Sequence, residues 1–340
     1  MREIGSEFWD VPIRNSSRNG SLHLECAQWF LSGRSALQAI IKELGIARSV
    51  ALPSWCCDSM VKPFVDAGME VEFYPVYFDD GLIQEPSFGS DVLFLMDYFG
   101  YTGVQPDLGA YSGIVIRDVT HSIFSTNYTD ANYYFGSLRK WCGVWTGGYA
   151  WAKDEHKLVM EHDDDHRYIS LRERAMQLKN SFINGHVDNA GNRVTDKGYL
   201  YVYNAAEEAL DHVGIAPAAE RDLALAECLD VDFIKFRRRA NAEVLCLAFP
   251  GWLMFPELID TDCPMFVPVL VPDGRRDDLR RYLISNDIYC PIHWPISEYH
   301  RLDRRTATIY ENELSLVCDQ RYTEDDMYRM VRTIKAFMEV

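Results

Sequence analysis

Two short stretches of the chain combine apolar, strand-like runs with side chains that can do chemistry. Ile114-Val-Ile-Arg-Asp118 ends on a carboxylate, and Tyr133-Tyr-Phe-Gly-Ser137 is followed by Arg139 and Lys140. A partly neutral lysine amine adds to an aldehyde to form an imine, and burial or a nearby cation favours the neutral amine. A carboxylate at a buried strand end is costly unless it has a partner. The pattern therefore indicates covalent chemistry at Lys140 with Asp118 close by.

Each of these residues also has a simpler interpretation. Lys140 can be a surface lysine after a turn, and Asp118 can form an ion pair with a nearby arginine. Ser137, three residues before Lys140, can donate to a phosphate or cap the turn. We favour the chemical role for Lys140 and Asp118, and we leave both roles open for Ser137.

The turn Ser32-Gly-Arg-Ser35 opens a run from Ala36 to Leu44 in which the apolar residues recur at helical spacing. The first N–H groups of such a helix are unpaired and lie at its positive end, which suits a phosphate. Gly33, Arg34 and Ser35 are therefore candidate phosphate contacts. Arg139 is a further candidate donor, and a capping or surface role is the alternative for these side chains.

Short apolar runs alternate with helical ones in the first half of the chain, which is typical of a mostly parallel sheet covered on both faces. Ligands bind at the carboxyl ends of the strands in such sheets. Pro53-Ser54, Tyr98-Phe99, Asp118 and Ser137 all follow predicted strands. The predicted strands are 49–53, 71–76, 91–96, 114–118 and the run before Gly136.

The second half of the chain predicts a different arrangement. Charged helices are expected at 156–183, 201–213 and 220–247. They are followed by a strand at 265–271, a helix at 275–285, an extended piece at 288–294, a strand at 314–318 and a helix capped by Thr323. We therefore predict a large α/β domain with an N-terminal arm over 1–248 and a small α+β domain over 249–340.

Composition narrows the classes of partner. The 340 residues carry a formal net charge of −17, whereas nucleic acids and anionic membranes are bound by clustered Lys and Arg. The first residues lack the apolar stretch of a signal peptide. No apolar run approaches the ~20 residues of a membrane span. The nine cysteines have no paired spacing. We expect a cytoplasmic protein that binds neither nucleic acid nor membrane.

Two charged motifs have ordinary explanations. His162-Asp-Asp-Asp-His166 places two imidazoles at helical spacing, as in some metal sites, but a charged helix end explains it as well. We favour the helix end and predict no metal. Arg237-Arg-Arg239 is interpreted as the solvated face of a helix.

From about residue 30 to the end, the chain contains several motifs in the same order and with roughly the same spacing as in a known enzyme family. The chain resembles the fold-type-I pyridoxal-phosphate enzymes, and within them the DegT/StrS-type nucleotide-sugar aminotransferases. The matching stretches are Ser32-Gly-Arg-Ser-Ala36, Pro53-Ser-Trp-Cys-Cys57, Tyr98-Phe-Gly100, Arg117-Asp-Val-Thr-His121, Lys140 with Gly147-Gly148, Asp287-Ile-Tyr-Cys-Pro-Ile-His-Trp-Pro295, and Leu314-Ser-Leu-Val317 with the helix after Thr323.

The chain also departs from the family pattern. Arg34 replaces a threonine of the phosphate turn, and His121 replaces a glutamine. Cys57 stands where the family has the aromatic residue that stacks on the cofactor, with Trp55 two residues earlier. The stretch between Asp118 and Lys140 is shorter than usual, and the family's segment that reaches the neighbouring subunit has no clear match.

The resemblance implies a seven-stranded, mostly parallel sheet sandwiched by helices, and a cofactor, pyridoxal phosphate. Lys140 would form its Schiff base, Asp118 would hold its pyridine nitrogen, and His121 would contact its ring or phenolic oxygen. The other implied cofactor contacts are Gly33, Arg34, Ser35, Trp55, Cys57, Tyr98 and Ser137. Arg139, His293 and Trp294 are candidate substrate contacts, although plain packing explains the last two equally well.

The implied reaction is amino transfer, with glutamate as donor and a keto substrate, such as a keto sugar nucleotide, as acceptor. The implied assembly is a homodimer with shared active sites. The same lysine and aspartate also serve lyases, decarboxylases and acyl transferases, and a non-catalytic regulator that binds the cofactor or a sugar is a third hypothesis.

Overall fold

The computed structural model describes residues 3–14, 22, 24, 26–109, 111–125, 130–161, 166–185 and 196–339. The strands are β1 (Ile4–Gly5), β2 (Gln28–Phe30), β3 (Ser49–Pro53), β4 (Glu70–Tyr74), β5 (Val76–Phe78), β6 (Leu82–Gln84), β7 (Val92–Met96), β8 (Ile114–Asp118), β9 (Tyr133–Ser137), β10 (Gly148–Ala152), β11 (Val267–Leu270), β12 (Ile288–Tyr289) and β13 (Glu313–Leu316). The helices are α1 (Gly33–Glu43), α2 (Asp58–Asp66), α3 (His166–Ile183), α4 (Tyr199–Leu210), α5 (Glu220–Glu227), α6 (Val231–Ala248), α7 (Arg276–Ser285), α8 (Arg304–Asn312) and α9 (Glu324–Met338).

A seven-stranded sheet forms the centre of the fold, in the order β2-β10-β9-β8-β7-β3-β4. Strands β9, β8, β7, β3 and β4 are parallel, and β10 is antiparallel to both β9 and β2. All five residues of β7 are buried, as expected for a strand covered on both faces. The predicted α/β class and the mostly parallel sheet are confirmed.

The carboxyl ends of β9, β8, β7 and β3 lie side by side because these strands are neighbours in the sheet. Asp118 is in register with Met96 of β7 and with Phe135 of β9. Ser54, Asp97, Asp118 and the turn after Ser137 therefore share one edge of the sheet. This is the edge at which ligands bind in parallel sheets.

A second hydrophobic core is built mainly from the C-terminal residues. It packs the antiparallel pair β11 and β13 against α7 and α9. Ile4 also belongs to this core, since β1 pairs with β12, and so do Ala242 and Leu245 of α6. We propose residues 249–340 as the small domain, completed by these contacts from the preceding chain.

The predicted helix over 156–183 begins later, at His166. Residues 156–161 are not helical because their backbone is bonded to distant groups. The backbone of Leu158 pairs with the Gln28 side chain, which accepts at 2.5 Å and donates at 3.2 Å. The N–H of Glu161 donates to the carbonyl of Ile215 at 3.0 Å.

Two further helix predictions were incomplete. The predicted helix over 220–247 is two helices, and Asp230 caps the second by accepting from the N–H of Phe233 at 3.1 Å. Helix α8 was missed, although Asp303 is a regular N-cap that accepts from the N–H of Thr306 at 2.8 Å. Among the described residues, no helix is long and apolar enough to cross a lipid bilayer.

Gly148 at the start of β10 allows the closest approach between the sheet and the first turn of α1. A Cβ at this position would overlap the backbone carbonyl of Ser32. We expect Gly148→Ala to lower the free energy of unfolding by at least about 2 kcal/mol, since neither backbone can move freely. Urea unfolding checks this. Gly251→Ala is the control, because a Cβ there meets open space, and equal losses in the two variants would contradict the prediction.

Candidate active site

Lys140 lies on the wall of a cavity of about 570 Å³. It ends a 3-10 turn, Leu138–Lys140, that directly follows β9. Within the described residues its amine makes no hydrogen bond or ion pair, and the side chain is reachable by solvent. Burial of its surroundings and the Arg139 charge lower the pKa of Lys140, against the opposing effect of Glu207 and Glu7. The site thus favours a neutral, accessible amine.

Asp118 lies at the end of β8 and is 2% exposed. Its Oδ1 accepts from the N–H of Thr120 at 2.8 Å. Burial raises the pKa of Asp118 to about 6, while the bonds from Thr120 and the charge of Lys140 lower it. Asp118 lies behind the cavity wall rather than among its lining residues.

The alternative in which Asp118 pairs with an arginine does not match the structure. Arg117 is the adjacent arginine, and it is fully buried. Its Nη2 donates to Oδ1 of Asp97 at 2.6 Å and its Nε donates to the same oxygen at 2.9 Å. Because Asp97 takes the guanidinium, the Asp118 carboxyl stays available for another cationic group.

His121 and Trp294 form an aromatic part of the cavity wall. Their rings are 5.9 Å apart and 21° from parallel. The N–H of Phe99 donates to Nδ1 of His121 at 3.2 Å, so the ring proton belongs on Nε2. Burial, followed by the nearby His293 and Lys140, lowers the pKa of His121 well below its usual value. His121 is therefore a neutral imidazole beside Lys140.

The predicted phosphate turn lies next to Ser137. A Cβ at Gly33 would be 3.4 Å from the Cβ of Ser137. The neighbouring side chains are engaged elsewhere: Arg34 pairs with Asp211, and the Ser35 hydroxyl donates to the carbonyl of Gly214 at 2.8 Å. The start of α1 and Ser137 are thus brought together, whereas the Arg34 and Ser35 side chains are not directed to a common point with them.

Trp55 and Tyr98 pack against each other and against the segment that contains His293. Their rings stack at 5.0 Å and 8°, and the Tyr98 hydroxyl donates to the Trp55 carbonyl at 2.6 Å. The Trp55 Nε1–H donates to the carbonyl of His293 at 2.6 Å. Cys57 is half-buried just before α2. Burial raises the pKa of its thiol, and the nearby charges of Lys140 and Asp118 act on it in opposite directions.

Sequence analysis missed a buried chain of hydrogen bonds behind His293. Ser315 donates to Oε1 of Glu313 at 2.6 Å, and its Oγ lies 2.8 Å from Nδ1 of His293. The N–H of His293 donates to Oε2 of Glu313 at 2.7 Å. The alternation in β13 was a signal, because Glu313 and Ser315 share one strand face. That face is buried.

The buried carboxyl of Glu313 predicts a pH dependence of stability. Burial raises the pKa of Glu313 to about 8 from 4.5, so ionisation costs more in the folded state than in the unfolded one. Its contribution is complete below about pH 4.5 and is lost as pH rises through about 8. We expect the melting temperature of the cofactor-free protein to fall less between pH 5 and pH 8 in Glu313→Gln than in the wild type.

Thermal unfolding followed by circular dichroism at several pH values measures this slope. Glu311→Gln, at an exposed position nearby, is the control and should retain the wild-type slope. Identical slopes in all three proteins would contradict the assignment.

Charged residues from several elements complete the cavity wall, and most of them were also missed. Glu7 follows β1, Arg172 belongs to α3, Glu207 belongs to α4, and Arg321 follows β13. No local sequence signal connects them, because they meet only in the folded chain. The solvated-face interpretation was wrong for Arg238, which is 1% exposed and donates to the carbonyl of Met265 at 2.8 Å.

The described residues contain no cluster of three or more His, Cys, Asp or Glu side chains that could hold a metal ion. The motif at 162–166 lies outside the described side chains.

Comparison with known proteins found no matching family model and no matching curated protein. Solved structures do match. A DegT DnrJ EryC1 StrS aminotransferase from Brucella abortus has a TM-score of 0.61 and 15% identity, covering 93% of this chain and 87% of its own. PseC of Helicobacter pylori, an aminotransferase involved in the biosynthesis of pseudoaminic acid, has a TM-score of 0.64 and 14% identity. The match covers 98% of this chain and 100% of PseC.

A third structure, NtdA of Bacillus subtilis with bound cofactor PMP, has a TM-score of 0.61 and 14% identity, covering 94% of this chain and 74% of its own. Matches at this identity establish the fold. The chain therefore shares the fold of the DegT/DnrJ/EryC1/StrS aminotransferases, the fold type I that its motifs predicted.

Proposed function

We propose that the chain is a pyridoxal-phosphate-dependent aminotransferase that moves an amino group from glutamate to a keto substrate. The observation that carries this proposal is the pair formed by Lys140 and Asp118. An unpaired amine with a lowered pKa lies on a cavity wall, and a buried carboxyl at the next strand end interacts with its charge. A keto sugar linked to a nucleotide is the proposed acceptor, by likeness to the sugar aminotransferases of this fold.

The residues present fit this cofactor. Lys140 would be its covalent attachment point, and Asp118 would hold the protonated ring nitrogen. Ser137 and the first turn of α1 would receive its phosphate, where Gly33 already permits close approach. When bound, pyridoxal phosphate supplies an electron-withdrawing ring that stabilises negative charge developing on the substrate.

The protein's own residues supply the proton transfers and the orientation. With the cofactor bound and its own Nζ free, Lys140 would act first as general base and then as general acid for the 1,3-proton shift of amino transfer. Glu207 and Glu7 favour its protonated form, whereas burial and Arg139 favour the neutral form, so the amine can hold the proton transiently. His121 and Trp294 cover the site with a flat, neutral surface and limit the entry of water.

We propose a homodimer, by likeness to the fold-type-I enzymes, with small-molecule donor and acceptor as the other partners. We also propose the cytoplasm as the compartment, since none of the nine cysteines is in a disulfide and reduced cysteines are typical of reducing compartments.

The test is the absorption spectrum of the purified protein with pyridoxal phosphate, before and after glutamate is added. We expect a visible band from the lysine-bound cofactor that glutamate converts to the shorter-wavelength band of the amine form. A visible band that glutamate leaves unchanged would overturn the choice of donor. Absence of any band from the folded protein would overturn the cofactor.

A further inference from the structure

One side of the cavity carries charged side chains that the proposed proton transfers leave unused. Arg139 pairs with Glu207. Nη1 of Arg172 lies 3.3 Å from Oε2 of Glu7 and 3.9 Å from Oε1 of Glu207. Arg139, Arg172 and Arg321 are referred to below as the arginine cluster.

The cavity wall has an excess of positive charge. Six described lining residues are Lys or Arg and three are Asp or Glu, in a chain whose formal net charge is −17. The two lining histidines, His121 and His293, are kept neutral by burial, which lowers the pKa of both. Such an excess attracts anions into a cleft.

The carboxylates of the wall already have partners. Asp319 accepts from Nη2 of Arg321 at 2.7 Å and from Nε at 2.9 Å. Arg139 lowers the pKa of Glu207 to about 2, against the effect of burial. These carboxylates remain ionised at neutral pH. With Lys140 neutral, the five arginines of the wall still outnumber the three carboxylates by two.

The guanidinium of Arg172 is the least satisfied part of the cluster. Its side chain is 1% exposed, and its Nε and Nη2 have no hydrogen-bond acceptor among the residues that the structure describes. Nε of Arg139, whose side chain is 9% exposed, also lacks one. A buried donor on a charged group is costly when it has no acceptor. The adjacent Nε and Nη2 of an arginine match two oxygens of a carboxylate or phosphate.

We propose that Arg172, supported by Arg139 and Arg321, binds an oxyanion of the substrate that reacts at Lys140. The inference rests on the proposed function and adds the residue that recognises the substrate, because the proposed function assigns no contact to the anionic group of either substrate. The oxyanion is either a carboxylate of the amino donor or a phosphate of a nucleotide-linked acceptor. Arg172 and Lys140 line the same cavity, so an oxyanion bound by Arg172 shares that cavity with a substrate held at the amine.

The experiment measures binding to the purified full chain by isothermal titration calorimetry. Glutarate, a dicarboxylate without an amine, represents the donor, and uridine diphosphate represents the acceptor. Arg172→Gln removes the charge, and Arg172→Lys keeps the charge but loses the paired donors. Arg332→Gln is the control, at an exposed position of α9 outside the cavity.

We expect the wild type to bind one of these probes, and Arg172→Gln to bind it about ten- to a hundredfold more weakly, the value of charged hydrogen bonds. Arg172→Lys should lose most of the same affinity, and Arg332→Gln none. Loss confined to glutarate identifies the donor carboxylate, and loss confined to uridine diphosphate identifies the acceptor phosphate.

Two results would overturn the subsite: no binding of either probe by the wild type, or affinities within about twofold in Arg172→Gln. Retention of the visible cofactor band in Arg172→Gln shows that the variant is folded and still binds the cofactor. If that band weakens while probe binding is unchanged, Arg172 serves the cofactor and the proposal is wrong. A missing band in the wild type is the separate failure of the proposed function.

Discussion

Lys140→Ala is expected to lose the visible band of the lysine-bound cofactor and to reduce the rate of amino transfer by at least about 10³-fold. The variant removes both the attachment point and the group that moves the proton, and general acid-base catalysis alone contributes 10²- to 10⁴-fold. The fold should survive, because the amine makes no hydrogen bond or ion pair within the described residues.

Lys153→Ala is the matched control for this prediction. Lys153 follows β10, pairs with the exposed Asp130 at 2.5 Å and lies outside the cavity. The initial rate at which each protein, supplied with pyridoxal phosphate, converts glutamate to 2-oxoglutarate compares the variants. Wild-type kinetics in Lys140→Ala would contradict the catalytic assignment, and undiminished biological activity of that variant would favour a regulator.

Asp118→Asn is expected to lower activity while it stabilises the cofactor-free protein. The amide cannot compensate a protonated ring nitrogen, so we expect a loss of at least about 10²-fold in rate. Burial raises the pKa of Asp118 to about 6 from 3.8, so ionisation costs more in the folded state. The stability present below about pH 3.8 is lost as pH rises through about 6.

At pH 8 the asparagine avoids this cost, and the cofactor-free variant should be more stable than the wild type by about 1 to 3 kcal/mol. Urea unfolding without cofactor measures the difference at pH 4 and at pH 8, and the gain should be larger at pH 8. Asp66→Asn is the control, since Asp66 is exposed and pairs with Lys62 on the surface of α2. A variant that is less stable than the wild type at pH 8 would contradict the prediction.

The opposite effects at Asp118 are informative because they separate function from stability. A residue kept for packing would lower both activity and stability when replaced. A carboxyl that destabilises the empty protein and is needed for the reaction has a ligand as its natural partner.

The sheet was predictable because its strands are short, apolar and interrupted by polar ends. Residues 114–118 were predicted with the observed bounds of β8. The same pattern identified the edge that carries Asp118 and the turn of Lys140, since side chains that follow parallel strands meet at one edge. The local sequence was sufficient to predict these strands because each one is a single short apolar run that passes through the core.

Other parts depend on contacts that no local pattern contains. Residues 156–161 look helical by composition, but the Gln28 side chain bonds the backbone of Leu158. The arginine cluster joins the turn after β9, α3 and the segment after β13. Of its members only Arg139 was a candidate from the sequence, whereas Arg172 and Arg321 look like ordinary surface charges on their own elements. Arg172 in particular belongs to a helix rich in charged residues, and only the fold buries it.

The most direct test of the account is to locate the lysine that carries the cofactor. The protein is incubated with pyridoxal phosphate, reduced with borohydride to make the linkage permanent, and digested for peptide mass spectrometry. We expect the reduced cofactor on Lys140 of the wild type, and on no lysine of Lys140→Ala. Attachment at another lysine of the wild type, or no attachment to the folded protein, would contradict it.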